Sequence, residues 1–85
     1  MSYFIKWKPK PLNFISKLPK NIALRMWNKL DKLKENPFRY LKHFESEEIY
    51  KFRIGDYRAL ISIDFEKKIL IIEILDKRGR VYKKK

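Results

Sequence analysis

The sequence predicts an α+β fold in the order strand–helix–helix–strand–strand–strand. Three observations carry it. Residues 49–64, IYKFRIGDYRALISID, alternate apolar and polar on both sides of Gly55-Asp56, the pattern of two half-buried strands joined by a two-residue loop. Residues 21–33 set Ile22, Met26, Leu30 and Leu33 along one helical stripe, with Ala23 and Trp27 beside it. ILIIEIL, Ile69 to Leu75, is apolar on both faces except at Glu73, as expected of a strand in the middle of a sheet.

Taken in order, SYFIKW alternates Tyr3 and Ile5 against Phe4 and Lys6 and forms a first strand, ended by Pro9 and Pro11. Pro11 opens a short helix at its first turn, where a missing N–H costs nothing. Leu12, Ile15 and Leu18 then fall three apart on one face, and Pro19 stops the helix. The second helix starts near Asn21 as N-cap, buries Met26 and Trp27 as core, and ends at Asn36-Pro37, because a residue before proline avoids the helical region. FRYLKHFESEE, residues 38–48, shows no period and holds the acidic run Glu45, Glu47 and Glu48; single His43 lies in it and reads as a surface residue. Glu66-Lys67-Lys68 make a turn into the last strand. No repeat, linker or second domain interrupts residues 1–85, so one domain with one modest core is expected.

The hairpin carries the first functional signal. Tyr50, Phe52 and Ile54 on one limb and Tyr57, Ala59, Ile61 and Ile63 on the other supply the core face. Gly55 at the first central position provides the positive φ of a type II′ turn, which fixes the register: Ile54 faces Tyr57, and Arg53 faces Arg58. Two guanidinium groups then sit opposite each other on the outward face, with Lys51 one pleat further along. Like charges so placed destabilise a sheet. The arrangement suits a site for something negatively charged.

Composition points the same way. Against 10 Asp and Glu stand 22 Lys and Arg, a formal charge of +12, and a small domain this basic is expected to meet polyanions, nucleic acid above all. A chain without Gln, Thr or Cys and rich in Lys and Ile also fits a hyperthermophile's compositional bias. That bias accounts for Lys better than for Arg on a sheet face. With no Cys and one His, neither a disulfide framework nor a metal cluster is implied. No run approaches the roughly 18 apolar residues of a membrane span, so a cytoplasmic protein without membrane contact is expected.

The usual catalytic sets are poorly supplied. Ser2, Ser16, Ser46 and Ser62 lack a Gly elbow, no phosphate-cradling Gly-rich motif occurs, and the carboxylates are scattered. What remains is Arg, Lys and Tyr: Lys51, Arg53 and Arg58 on the hairpin, then Lys77, Arg78, Arg80 and Tyr82 beyond the last strand. The tail DKRGRVYKKK holds six basic residues, Lys77, Arg78, Arg80, Lys83, Lys84 and Lys85. Such a set suits RNA cleavage, because RNA brings its own nucleophile, the 2′-hydroxyl, and needs only proton transfer and phosphate stabilisation from the protein. Arg grips phosphoryl oxygens bidentately, and Lys acts as a point charge. Tyr, with a free pKa of about 10, becomes a usable base where neighbouring cations favour its phenolate. For Tyr82, base stacking or packing is an equal alternative. The terminal lysines read as solvated charges steering a polyanion.

The element order, the R-x-G-x-Y-R hairpin from Arg53 to Arg58, the later Arg78 to Tyr82 and the lead-in NPFRYLKHF together resemble the RelE/ParE superfamily of toxins, most closely the archaeal RelE type, over almost the whole chain. The resemblance implies a four-stranded, mainly antiparallel sheet with the helix hairpin on one face and the active surface on the other. It implies a toxin of a type II toxin–antitoxin pair: a metal-independent, cofactor-free endoribonuclease that cuts mRNA in the ribosomal A site. By position, the catalytic set is Lys51, Arg53, Arg58, Arg78 and Tyr82. In that scheme Tyr82 takes the 2′-proton, Arg58 and Arg78 hold the phosphate, and Lys51 or Arg53 neutralises charge or protonates the leaving group. Arg80, Lys77, Lys83 and Lys84 bind RNA. Asp76-Lys77 departs from the family, where many relatives show a Gly-His-like pair. The implied partners are a RelB-like antitoxin, partly disordered until bound, and the ribosome with its mRNA. Two other readings fit the same residues: a ParE-like toxin that inhibits gyrase without cleavage, and a non-catalytic RNA-binding protein whose cations only touch phosphate.

Overall fold

The computed structural model describes residues 2–43 and 49–77. Expectations for Glu45, Glu47 and Glu48, and for the tail residues Arg78, Arg80, Tyr82, Lys83 and Lys84, lie outside the described residues. The elements are β1 (Phe4–Trp7), α1 (Pro9–Ser16), α2 (Lys20–Leu33), a 3₁₀ turn (Pro37–Arg39), β2 (Lys42–His43), β3 (Tyr50–Ile54), β4 (Tyr57–Asp64) and β5 (Ile69–Lys77). They make one sheet in the order β1-β5-β4-β3-β2, antiparallel except for the parallel β1–β5 pair. The α+β class and the helix hairpin on one face are as the sequence implies. A fifth strand, the two-residue β2, joins the four expected.

Local chemistry explains where the elements begin and end. Pro9, not Pro11, opens α1; both prolines fall in its first turn, where they remove donors that have no intrahelical acceptor. Ser16 Oγ donates to the Asn13 carbonyl at 2.7 Å in the last turn, and the chain leaves the helix before Pro19. The expected cap at Asn21 is replaced by Pro19, whose ψ of 146° points its carbonyl into α2 to accept the N–H groups of Ile22 (3.0 Å) and Ala23 (2.9 Å). Asn21 lies inside the first turn. The helix also stops at Leu33, short of Asn36.

One core lies between the helices and one face of the sheet. Met26, Leu30 and Leu33 of α2 and Ile15 of α1 meet Phe52, Ile54, Ala59, Ile61, Leu70, Ile72 and Leu75. The stripe read from the sequence is therefore the buried face of α2. Trp27 is the exception: it is 42% exposed and leans on Trp7 with ring centroids 4.8 Å apart, because it stands one position off the stripe. Leu12, expected on the inner face of α1, is 45% exposed for the same reason. β5 lies between β1 and β4, with Leu70, Ile72 and Leu75 buried on the helix side and Ile69, Ile71 and Ile74 part-exposed on the other. Among the described residues no helix is long and apolar enough to cross a membrane.

Candidate nucleic-acid interface

The sheet face turned away from the helices is set by the β3–β4 turn. Gly55 has φ 58°, and Asp56 is not among the positive-φ residues, the combination a II′ turn requires. The register is Ile54↔Tyr57, Arg53↔Arg58, Phe52↔Ala59, Lys51↔Leu60 and Tyr50↔Ile61. Because Phe52, Ile54, Ala59 and Ile61 are buried under the helices, the alternate positions Lys51, Arg53, Arg58 and Leu60 take the other face, where Lys51, Arg53 and Arg58 reach the surface and Leu60 is buried. β2 adds a cation: Lys42 is paired with Lys51. On the other side Arg58 pairs with Asp76 and Leu60 with Ile74.

Two rows therefore cross this face. One runs Lys42–Lys51–Leu60–Ile74, the next Arg53–Arg58–Asp76. Both begin with two cations side by side. An apolar pair completes one row and a carboxylate the other. Lys51 and Arg58 are half-buried, whereas Arg53 and Lys42 are exposed. The structure thus brings together Lys51, Arg53 and Arg58 and places Asp76 opposite Arg58.

Lys77 does not join them. It pairs with Tyr57 on the helix side and lines a cleft with Ile22, Arg25 and Met26. Period two accounts for this: Lys77 is one residue past Asp76, so it takes the opposite face. Its expected place in the basic cluster is corrected accordingly.

Beyond these rows the face changes character. The β4–β5 register shifts between Leu60 and Ile61, so that Leu60 pairs with Ile74 but Ile61 with Ile72, and Glu73 is the extra residue of a β-bulge. The bulge presents Glu73 to Ser62, whose Oγ donates to Oε2 at 2.7 Å, and to Lys8, whose Nζ lies 3.1 Å from Oε1. Burial works to raise the Glu73 carboxyl, but the hydrogen bonds from Ser62 and Lys8 and the Lys8 charge outweigh it and hold the group below its ordinary value. Lys8 is thereby engaged at the far side of the sheet. Among the described residues no group of three or more His, Asp or Glu side chains is placed to hold a metal ion.

Sequence reasoning missed Lys42 and the Lys8–Glu73–Ser62 contact. A two-residue strand is too short for alternation to show, so Lys42 had no readable signal. Glu73 did have one: a lone acid in an apolar strand marks a place where the regular pattern breaks.

Residues 5–81 match the family described as ParE toxin of type II toxin-antitoxin system, parDE. Similar solved structures include a chain of the toxin–antitoxin complex RelBE2 from Mycobacterium tuberculosis, at 26% identity and TM-score 0.80, covering 92% of this chain and 100% of that one. The archaeal RelE–RelB complex from Pyrococcus horikoshii OT3 is similar at 28% identity and TM-score 0.80, covering 94% and 99%. The isolated RelE toxin of E. coli, at 24% identity and TM-score 0.77 over 96% and 93%, shares the fold. No curated protein matches the chain by sequence. The family match spans nearly all of the sequence, and the chain belongs to the ParE toxins of type II toxin–antitoxin systems, within the RelE/ParE superfamily.

Proposed function

We propose that this toxin is an endoribonuclease that cuts mRNA in the ribosomal A site, and so inhibits translation until a RelB-like antitoxin covers it. The observation that carries this reading is the open sheet face on which Arg53 stands directly opposite Arg58 with Lys51 beside them. A fold that only had to be stable gains nothing from that pairing. A phosphate between two guanidinium groups removes the repulsion and accepts paired N–H bonds from each. The likeness to RelE structures at 26 and 28% identity supports the same reading.

In the reaction, the 2′-oxygen attacks the adjacent phosphorus as its proton passes to a base, and the bond to the 5′-oxygen breaks as that oxygen takes up a proton. The products are a 2′,3′-cyclic phosphate and a 5′-hydroxyl. Arg58 holds the phosphoryl oxygens as charge accumulates on them, with Lys51 or Arg53 neutralising charge or supplying the leaving-group proton. Tyr82 and Arg78, assigned through the family resemblance, are the base and the second phosphate ligand. The antitoxin would meet the basic face with acidic residues of its own.

A second reading draws on the family model, which is a ParE model: a toxin of this fold that blocks DNA gyrase without cutting anything. A translating extract given purified protein, with primer extension on a reporter message, separates the two. Cuts at codon positions that disappear in Arg58→Ala and Arg78→Ala support the nuclease. An intact message together with blocked gyrase supercoiling selects the other reading.

A further inference from the structure

We infer that Lys42 and Lys51 form a second phosphate-holding pair, so that the open face grips single-stranded RNA at two neighbouring linkages rather than one. This rests on the nuclease reading and deepens it. Lys42 and Lys51 are direct cross-strand partners on the same face as the Arg53–Arg58 pair, one row away. Lysine on an edge strand also discourages sheet-to-sheet pairing. Glu at position 42 would serve that purpose equally and would attract Lys51, whereas Lys repels it, so edge protection alone does not account for the choice.

The geometry is that of a track. Rows two residues apart are separated by about 6.7 Å along the strands, and adjacent strands by about 4.8 Å, which sets the centres of the two cation pairs about 8 Å apart. The exposed Lys42 ammonium, on its flexible stem, closes that gap to the separation of successive phosphates in one chain. The track is bounded. Asp76 follows Arg58 in its row, so a carboxylate faces any phosphate row that strays toward β5 there. A duplex brings a second phosphate row; a single strand does not. Ile74, part-exposed at the end of the same row as Lys51, gives the ribose or base an apolar contact, and Leu60 is buried beneath.

The test is fluorescence anisotropy with a short labelled single-stranded oligoribonucleotide and its duplex, read from about 50 to 200 mM salt. Lys42→Ala is expected to lower the salt slope by roughly 0.7, the value of one phosphate contact on a single strand, and Lys42→Arg to restore it. Lys29→Ala, an exposed change on α2, should leave the slope unaltered, and melting curves confirm that each variant folds. A Lys42→Ala slope equal to wild type, while Arg53→Ala lowers it, overturns the second pair and leaves the nuclease reading standing. Duplex bound as tightly as single strand overturns the track. Wild type that shows no salt-dependent RNA binding overturns both.

Discussion

The Arg53–Arg58 pairing sets stability against function, and the cost can be worked out. A turn hydrogen bond at Ile54–Tyr57 makes Arg53–Arg58 the next pair, of the non-hydrogen-bonded kind with Cα atoms about 4.5 Å apart. For a charge separation of about 7 Å, Coulomb's law gives roughly 0.6 kcal/mol of repulsion at a dielectric of about 80 and twice that at about 40. Arg53→Glu exchanges repulsion for attraction of similar size, a swing of about 1 to 2 kcal/mol before side-chain ordering is subtracted. The net gain expected is about 1 kcal/mol, a rise in Tm of about 4–8 °C for a domain of this size. A double-mutant cycle with Arg58→Gln isolates the pairwise share from everything else Arg58 touches. Urea melts should give that coupling at about 10 mM salt, where the Debye length is about 30 Å, and lose it at 1 M, where it is about 3 Å. The stabilised variant should also bind RNA more weakly, with a lower salt slope. A coupling of zero at low salt, or one that ignores salt, refutes the reasoning.

Other outcomes follow from the same structure. Glu73→Gln should matter most at neutral pH: a carboxyl held below its ordinary value stabilises the fold above that value, and the contribution is lost as pH falls through the folded pKa, so the wild-type and variant Tm curves should converge in acid. Because Lys8 is half exposed, the gap should stay below about 1 kcal/mol. Gly55→Ala should cost about 1–2 kcal/mol in denaturant melts through φ alone, since the added Cβ meets nothing within 4 Å, and Gly55→Asn should cost less. Ile61→Ala, at a fully buried site between the helices and the sheet, should cost about 2–5 kcal/mol.

The central hairpin was legible in full because two independent signals agreed on it: period-two alternation gave the faces, and Gly55-Asp56 gave the register, so Arg53 opposite Arg58 followed by geometry. The stripe on α2 was legible for the same reason, as 3.6-residue periodicity outlasts any single exception. Trp27 was misplaced because hydrophobicity says that a side chain prefers burial, not that a second layer exists to bury it. β2 escaped because its two residues belong to the sheet only through pairing with β3, a long-range contact that no local pattern encodes. The bulge at Glu73 likewise depends on a mismatch between two strands, though the isolated acid hinted at it. Lys77 shows how sharp period two is: grouping it with its neighbours by charge placed it on the wrong face.

The claim that this face acts on RNA through the 2′-hydroxyl is tested most directly with ribosomes stalled on a defined A-site codon, carrying either an all-ribose message or one with a single 2′-deoxy nucleotide at the scissile position. The all-ribose message is expected to be cut, leaving a 5′-hydroxyl on the downstream fragment, and the deoxy message to stay whole. Scission of both messages, or of neither, would contradict it.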